Sequence, residues 1–279
     1  MKLVTTRSEL SKIQETGLKN NTIGLVPTMG NLHQGHLELV KRSLQRTQKT
    51  MVTIFVNPKQ FGPNEDFEKY PRTLEADLLK LKELDGADNI VVFAPQSTLE
   101  IYPEGFNTTI EVQGLDNLLC GANRPGHFKG VTTVVYQLFK LSGADMAFFG
   151  QKDFQQFKII EKMVHDLSLE IELEMCPIIR EPSGLALSSR NQYLSSSERE
   201  EARLIKETLD HLKELFLENR EKALKKREDI LFHEPRWQYL EVLDGSHLTE
   251  VSAKTNQVVV AGAFLMGDTR LIDNILFDL

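Results

Sequence analysis

The sequence is organised around the stretch Pro27-Thr28-Met29-Gly30-Asn31-Leu32-His33-Gln34-Gly35-His36. An apolar run at 23–26 precedes it, and a run with apolar residues at helical spacing follows it. This order predicts a buried strand, a glycine-bearing turn and then a helix. A turn that leads into a helix N-terminus presents unpaired backbone N–H groups and the positive end of the helix dipole. Both features favour an anion such as a phosphate.

The two histidines of this stretch are the candidate chemical groups. His33 and His36 share one face once the helix has begun, and Gly35 leaves room beside both rings. Imidazoles in an anion site can donate hydrogen bonds to phosphate oxygens and neutralise charge on a leaving group. Taken alone, histidines at this spacing are more often surface residues at a helix start. A zinc site is disfavoured, because helical zinc pairs prefer i, i+4 and neither cysteine is near in sequence.

Composition narrows the class of protein. The chain has 279 residues, enough for one large domain and a smaller one, and 41% hydrophobic and 26% charged residues are ordinary for a globular protein. The net charge of −7 argues against a general nucleic-acid binder. Cys120 and Cys176 are isolated, which indicates neither a disulfide framework nor a metal knuckle. We find no segment of membrane-spanning length and no signal-peptide pattern, and we expect a cytoplasmic protein.

Strand and helix patterns alternate over the first 180 residues, which predicts βαβ units and a mostly parallel sheet. After about residue 190 two long charged helical stretches are followed by strands with no helix between them. We therefore predict an α/β domain over 1–180 and a smaller α+β domain over 181–279. The predicted strands are at 23–26, 51–56, 90–94, 108–112, 146–149 and 171–178, and then at 238–243, 258–264 and 271–275.

Polar loops follow the predicted parallel strands at 27–36, 57–62, 150–156 and 180–190. Ligands in such sheets bind outside the carboxyl ends of the strands, so these loops predict one site. In the third loop, Lys152 could reach a nucleotide phosphate, and Asp153 could accept from a ribose hydroxyl or help to hold a metal. Such a pair is more often surface decoration when it stands alone.

The remaining loops supply further candidates with structural alternatives of their own. Residues 188–190, Ser-Ser-Arg, could clamp a polyphosphate. Gln155 and Gln156 could orient a hydroxyl or a carboxylate without adding charge, and Gln60 lies in a comparable loop. Asp77 could hold magnesium through an outer shell, but we expect it to face solvent.

Together these segments resemble the pantothenate synthetase family, the pantoate–β-alanine ligases of the H-x-G-H nucleotidyltransferase superfamily. The segments come in the family's order and spacing over nearly all of the first domain, and the match is looser in the second. Gln151 departs from the glutamate usual in the family, and the sequence leaves its effect open. The matching segments are 27–36, 55–61, 70–73, 127–131, 149–156 and 184–191.

The resemblance implies a Rossmann-like nucleotidyltransferase domain followed by a lid-like C-terminal domain. It also implies the ATP-dependent condensation of pantoate with β-alanine to pantothenate. This reaction passes through an enzyme-bound pantoyl adenylate and releases AMP and pyrophosphate. The resemblance further implies a requirement for Mg²⁺ and a cytoplasmic homodimer, with neither nucleic acid nor membrane as a partner.

By residue match, His36 would act as general acid with His33 and Lys152 as further catalytic groups. Gln60 and Gln156 would bind the substrates pantoate and β-alanine, and Asp77 is the candidate magnesium ligand. The ATP-binding residues would be Met29, Gly30, Asn31, Leu32, His33, Gln34, Gly35, His36, Gly150, Gln151, Lys152, Asp153, Ile179, Leu187, Ser188, Ser189 and Arg190.

Two other functions remain open on the sequence. One is a nucleotidyltransferase that adenylylates a phosphate ester and makes no amide. It would need extra basic residues for its second substrate, whereas Gln60 and Gln156 suit a hydroxyl and a single carboxylate. The other is a nucleotide-binding regulatory protein without turnover.

Overall fold

The computed structural model describes residues 1–63, 65 and 67–279. Its strands form a six-stranded parallel sheet and a three-stranded antiparallel sheet. The strands are β1 (Lys2–Val4), β2 (Ile23–Thr28), β3 (Lys49–Ile54), β4 (Ile90–Phe93), β5 (Met146–Gly150), β6 (Glu172–Cys176), β7 (Trp237–Asp244), β8 (Gln257–Met266) and β9 (Thr269–Asp278). The α-helices are α1 (Arg7–Ile13), α2 (Gln34–Arg46), α3 (Leu74–Lys82), α4 (Leu119–Asn123), α5 (His127–Ser142), α6 (Phe154–Asp166), α7 (Ser196–Glu201), α8 (Arg203–Glu218) and α9 (Arg220–His233).

The order of the parallel sheet, β1-β4-β3-β2-β5-β6, creates the site. From β2 the chain proceeds outward through β3 to β4, whereas β5 and β6 lie on the other side of β2. The connections that follow β2 and β5 therefore diverge and leave a crevice at the carboxyl ends of these strands. The turn 29–33 and the segment 151–153 border this crevice, as the sequence predicted for the first and third polar loops.

The centre of this sheet is apolar on both faces because helices cover both. Leu25 and Val26 are 0% exposed on consecutive positions of β2, and burial of each stabilises the fold by about 1.5–3 kcal/mol. Gly24 permits close packing of α2, since a Cβ there would lie 2.1 Å from Ser43 Oγ. The helix that follows the turn 29–33 is thus held tightly against its strand.

The second sheet is covered by helices on one face and by the first unit on the other. Alternation along each strand separates the two faces. Leu240 and Phe264 pack with Leu209 of α8 in a core of their own. Tyr239 and Ile272 instead pack against the core of the parallel-sheet unit. The predicted change of architecture in the C-terminal part is confirmed, and the domain boundary at 180/181 stays a prediction.

One local prediction is wrong, and one strand was not predicted. The expected strand at 108–112 has no strand partner among the described residues, because threonine hydroxyls of α5 satisfy the backbone of Ile110. Thr133 Oγ1 accepts from its N–H at 3.0 Å, and Thr132 Oγ1 donates to its carbonyl at 2.6 Å. The sequence does not predict the N-terminal strand β1, since its three residues are too few to show a periodic pattern. It pairs in parallel with β4.

Candidate active site

A cavity of about 230 Å³ lies at the carboxyl edge of the parallel sheet. All four polar loops that the sequence singled out contribute to its wall. The predicted site residues that line it are Met29, His33, Gly35, His36, Gln60, Gly150, Lys152, Asp153, Gln156, Ile179, Leu187, Ser188, Ser189 and Arg190.

Asp77 shapes the turn that carries the histidines. Its Oδ2 accepts from the backbone N–H of Asn31 at 2.9 Å, and its Oδ1 accepts from that of Leu32 at 2.7 Å. Thr73 Oγ1 donates to Oδ2 at 3.1 Å. The turn needs this support because Gly30 and Asn31 have positive φ values of 82° and 49°.

The expectation that Asp77 faces solvent is wrong, since the residue is 0% exposed. It lies on the inner side of the first turn of α3. Both of its oxygens already accept hydrogen bonds from the chain, so the geometry favours a positioning role. The magnesium role of Asp77 stays a prediction.

Hydrogen bonds at Nδ1 orient both histidines. His36 Nδ1 accepts from the backbone N–H of His33 at 3.3 Å, and His33 Nδ1 accepts from that of Gly35 at 3.1 Å. Each neutral ring therefore carries its proton on Nε2, which is left to act as a donor. Glycine is required at position 35, because a Cβ there would lie 2.9 Å from His33 Cε1.

Both imidazoles are neutral near pH 7. Burial, reinforced by Lys152, lowers the pKa of His33 to about 4. Burial, reinforced by His33, lowers the pKa of His36 well below its usual value of 6.5. An anion thus meets two N–H donors rather than two cations. Proton donation by His36 requires a bound anion that raises its pKa, and the general-acid role stays a prediction.

Asn57 anchors the loop that carries Gln60. It is 1% exposed, and its Nδ2 donates to Gln60 Oε1 at 3.1 Å. Tyr102 holds the other side of this amide by donating to Asn57 Oδ1 at 2.8 Å. Gln60 Nε2 lies 3.1 Å from Met29 Sδ at the cavity wall. Sequence reasoning passed over Asn57, and its position before a proline at a strand end was the available signal.

Arg124 and His127, which are hydrogen-bonded to each other, line the same cavity without having been assigned from the sequence. His127 Nδ1 donates to the carbonyl of Gln60 at 2.8 Å, and Arg124 Nη1 donates to His127 Nε2 at 2.9 Å. Burial, with the charge of Arg124, lowers the pKa of His127 to about 4. Arg124 Nε also donates to Glu65 Oε1 at 2.6 Å. The pair braces the Gln60 loop.

The start of α6 places Lys152 and Gln156 at the cavity and removes Gln155 from it. Lys152 Nζ lies 3.3 Å from Asp153 Oδ2. Gln155 is buried, and its Nε2 donates to the carbonyls of Leu115 and Leu118. Gln155 therefore does not line this cavity, and a contact between Gln155 and a substrate stays a prediction.

The second sheet is bonded to the loop that carries Lys152. Asn274 Nδ2 donates to the carbonyls of Gln151 and Lys152 at 2.9 and 3.1 Å. Gln151 Nε2 donates to Asn274 Oδ1 at 3.1 Å. A neighbouring ion pair joins Arg180 Nη2 to Asp273 Oδ1 at 2.9 Å. The side chain of Gln151 thus forms part of the contact between the Lys152 loop and the second sheet.

Hydrogen bonds between residues close in sequence hold the loop 180–190. The N–H of Leu187 donates to the carbonyl of Ile179 at 2.9 Å, and Ser188 Oγ accepts from the N–H of Arg190 at 3.2 Å. These bonds present two hydroxyls and a guanidinium to the cavity.

Some residues that the sequence predicted to contact ATP lie in the core, at the surface or in the turn that carries the histidines. Leu32 is 1% exposed within the core, and Gln34 is exposed to solvent. Gly30 and Asn31 form the turn described above. An ATP contact by these residues or by Gln151 stays a prediction.

The donors of the cavity suit a polyphosphate. Lys152, Arg190 and the Nε2–H groups of the two motif histidines line it. Asp153 supplies the only carboxylate among the described residues that line it. Over residues 1–63, 65 and 67–279, no three His, Cys, Asp or Glu side chains group as a metal site. In the same part of the chain, no helix has the length and apolar character needed to cross a membrane.

Comparison with known proteins agrees with this geometry. The family described as pantoate-beta-alanine ligase matches residues 2–276. A pantothenate synthetase of Acetivibrio thermocellus is 47% identical over 100% of both chains. One of Thermotoga petrophila is 45% identical over 98% of this chain and 99% of that protein.

Solved structures give the same result. The crystal structure of the pantothenate synthetase from Thermus thermophilus has a TM-score of 0.88 at 42% identity, over 99% of each chain. A pantoate-beta-alanine ligase from Francisella tularensis, complexed with beta-gamma ATP and β-alanine, has a TM-score of 0.77 at 34% identity. That match covers 99% of this chain and 97% of the other. The chain belongs to the pantoate-β-alanine ligase family.

Proposed function

We propose that this protein condenses pantoate with β-alanine in an ATP-dependent reaction, through an enzyme-bound pantoyl adenylate. The observation that carries the proposal is that one cavity brings phosphate donors and neutral amides together. His33, His36 and Lys152 supply donors for phosphates, and the amides of Gln60 and Gln156 line the same cavity. The related Francisella tularensis structure holds beta-gamma ATP and β-alanine, which supports the same substrates here.

The first step joins pantoate to AMP. A pantoate carboxylate oxygen attacks the α-phosphorus of ATP, and the bond to the bridging oxygen breaks. Negative charge then builds on the departing pyrophosphate. Catalysis of such a step depends on positioning and on preorganised donors. The Nε2–H groups of His33 and His36, with Lys152, are suited to this charge.

The second step makes the amide. The amine of β-alanine attacks the acyl carbon of the adenylate, and AMP leaves with the electrons of the acyl C–O bond. No covalent enzyme nucleophile is needed, because the mixed anhydride is already activated. Gln60 and Gln156 would hold the pantoyl group through both steps without adding charge.

Magnesium, the homodimer and a cytoplasmic location belong to the proposal as well. Mg²⁺ prefers oxygen ligands and is commonly bound through one or two carboxylates together with substrate phosphates. Asp153 supplies a carboxylate at the cavity, so the donor set fits an ion that is held chiefly by ATP. When bound, it would neutralise phosphate charge.

The test is product analysis by mass spectrometry after incubation with ATP, Mg²⁺, pantoate and β-alanine, with each component omitted in turn. We expect pantothenate and AMP only in the complete mixture. Release of pyrophosphate that does not depend on pantoate would refute the proposal, as would adenylylation of a phosphate ester. Absence of turnover with a tightly bound nucleotide would favour a regulatory protein instead.

A further inference from the structure

A second cavity, of about 80 Å³, lies between the two sheets next to the first. Both cavities are lined by His127, Lys152 and Gln156, so the two adjoin at these residues. Tyr239 and Arg270 close it on the side of the antiparallel sheet. Ser188 and Arg190 line it as well, so it adjoins both the amide of Gln156, where the pantoyl group is proposed to bind, and the phosphate donors.

Strand alternation directs Arg270 toward this cavity. Arg270, Ile272 and Asn274 occupy alternate positions of β9 and therefore share one face. Ile272 packs against the core of the parallel-sheet unit, and Asn274 is bonded to the Lys152 loop. The same face thus presents the guanidinium of Arg270 to the space between the sheets.

The guanidinium of Arg270 has no direct ion-pair partner among the described residues, although Asp153 and Asp273 line the same cavity. Its backbone is paired with β8, but its guanidinium makes no hydrogen bond within the described residues, although it carries five N–H donors. Nearby cations have acidic partners: Arg124 has Glu65 and Lys152 has Asp153. A half-buried arginine with free donors is suited to a carboxylate, which it can bind through two parallel hydrogen bonds.

We propose that Arg270 binds the carboxylate of β-alanine and directs its amine through the second cavity toward the acyl carbon at Gln156. This assignment rests on the proposed function. Binding at Arg270 keeps the β-alanine carboxylate away from the ATP phosphates, which would repel it because both groups are anions. Only the amine of β-alanine has to reach the adenylate. The neutral amine forms the C–N bond, the acyl C–O bond breaks, AMP takes the electron pair, and one proton passes to solvent.

The test compares Arg270→Gln with Arg203→Gln, a matched change at an exposed residue of α8. Pantoate-dependent exchange of labelled pyrophosphate into ATP needs no β-alanine, and both variants should keep it within about twofold of wild type. With β-alanine, Arg270→Gln should lose about 10- to 100-fold in kcat/KM, chiefly through KM, because a charge-assisted pair is lost. Arg203→Gln should stay normal.

A second readout uses n-propylamine, which lacks the carboxylate. Wild type should strongly prefer β-alanine, whereas Arg270→Gln should use the two amines almost equally. Should Arg270→Gln fail to fold, Arg270→Lys keeps the charge and should retain part of this preference, with a KM for β-alanine raised about 10-fold.

The outcomes separate the inference from the proposed function. A normal KM for β-alanine in Arg270→Gln, or equal damage to exchange and amide formation, would overturn the role of Arg270. Neither result would bear on the reaction proposed for the wild-type protein. Absence of pantoate-dependent exchange in the wild-type protein would refute the proposed function itself.

Discussion

Replacing Asp77 by Asn tests whether this carboxylate holds the histidine turn. Asp77 accepts from two backbone N–H groups with two different oxygens. An asparagine has the same shape but only one acceptor oxygen, so its NH₂ group would face a backbone N–H. The turn with positive φ at Gly30 and Asn31 would then lose one of its two supports.

The expected loss follows from these contacts. A buried N–H left without an acceptor costs about 1–3 kcal/mol, and the remaining bond weakens because its acceptor is no longer charged. We expect Asp77→Asn to lower the free energy of unfolding by roughly 2–4 kcal/mol, which is below typical total stability. Displacement of the His33 and His36 donors should reduce kcat by about 10²-fold, the effect of losing one preorganised donor.

The assay measures the melting curve together with turnover over a range of Mg²⁺ concentrations. Glu75→Gln is the matched control, since Glu75 is exposed in the same helical turn, and it should leave both unchanged. A variant with a native melting curve whose activity returns at high Mg²⁺ would refute the clamp. That result would make Asp77 a magnesium ligand instead.

The remaining predictions concern the cavity side chains. Lys152→Ala should lose roughly 2–4 kcal/mol of transition-state stabilisation in kcat/KM with an unchanged melting curve; near-normal turnover would exclude its phosphate contact. His36→Ala should abolish pantoate-dependent pyrophosphate exchange yet still convert preformed pantoyl adenylate, and equal damage to both would exclude the general-acid role. The pKa of His127 is lowered from 6.5 to about 4 on folding. Its contribution to stability is therefore complete above pH 6.5 and declines as the pH falls toward 4. Melting temperatures across this range should show a shallower decline in His127→Gln, and an unchanged decline would contradict the shift.

Local patterns were sufficient to predict most of the parallel-sheet unit. The apolar run of β2 and the glycine turn after it specify strand, turn and helix through near neighbours alone. Once strands alternate with helices, their loops must meet at one edge of the sheet. The cavity residues His33, Lys152 and Gln156 were found for that reason.

Contacts between distant segments could not be predicted in this way. Asp77 looks like an ordinary acidic residue of a first helical turn, and only the packing of α3 against the histidine turn reveals its role. Gln155 and Gln156 are equivalent in sequence, yet helix geometry sends one into the protein and the other to the cavity. Arg270 lies 114 positions beyond Gln156, and no periodic pattern joins them.

The amide pair of Gln151 and Asn274 would link any movement of the C-terminal sheet to the proposed binding of phosphate at Lys152. Any outward swing of β9 breaks three hydrogen bonds to the segment that carries Lys152. Ligands that fix Lys152 therefore oppose opening, and by thermodynamic reciprocity opening weakens their binding equally. A glutamate at position 151 would set a carboxylate against Asn274 Oδ1, because Nδ2 is already committed to two carbonyls. Gln151 in this chain thus strengthens the coupling that a glutamate would loosen.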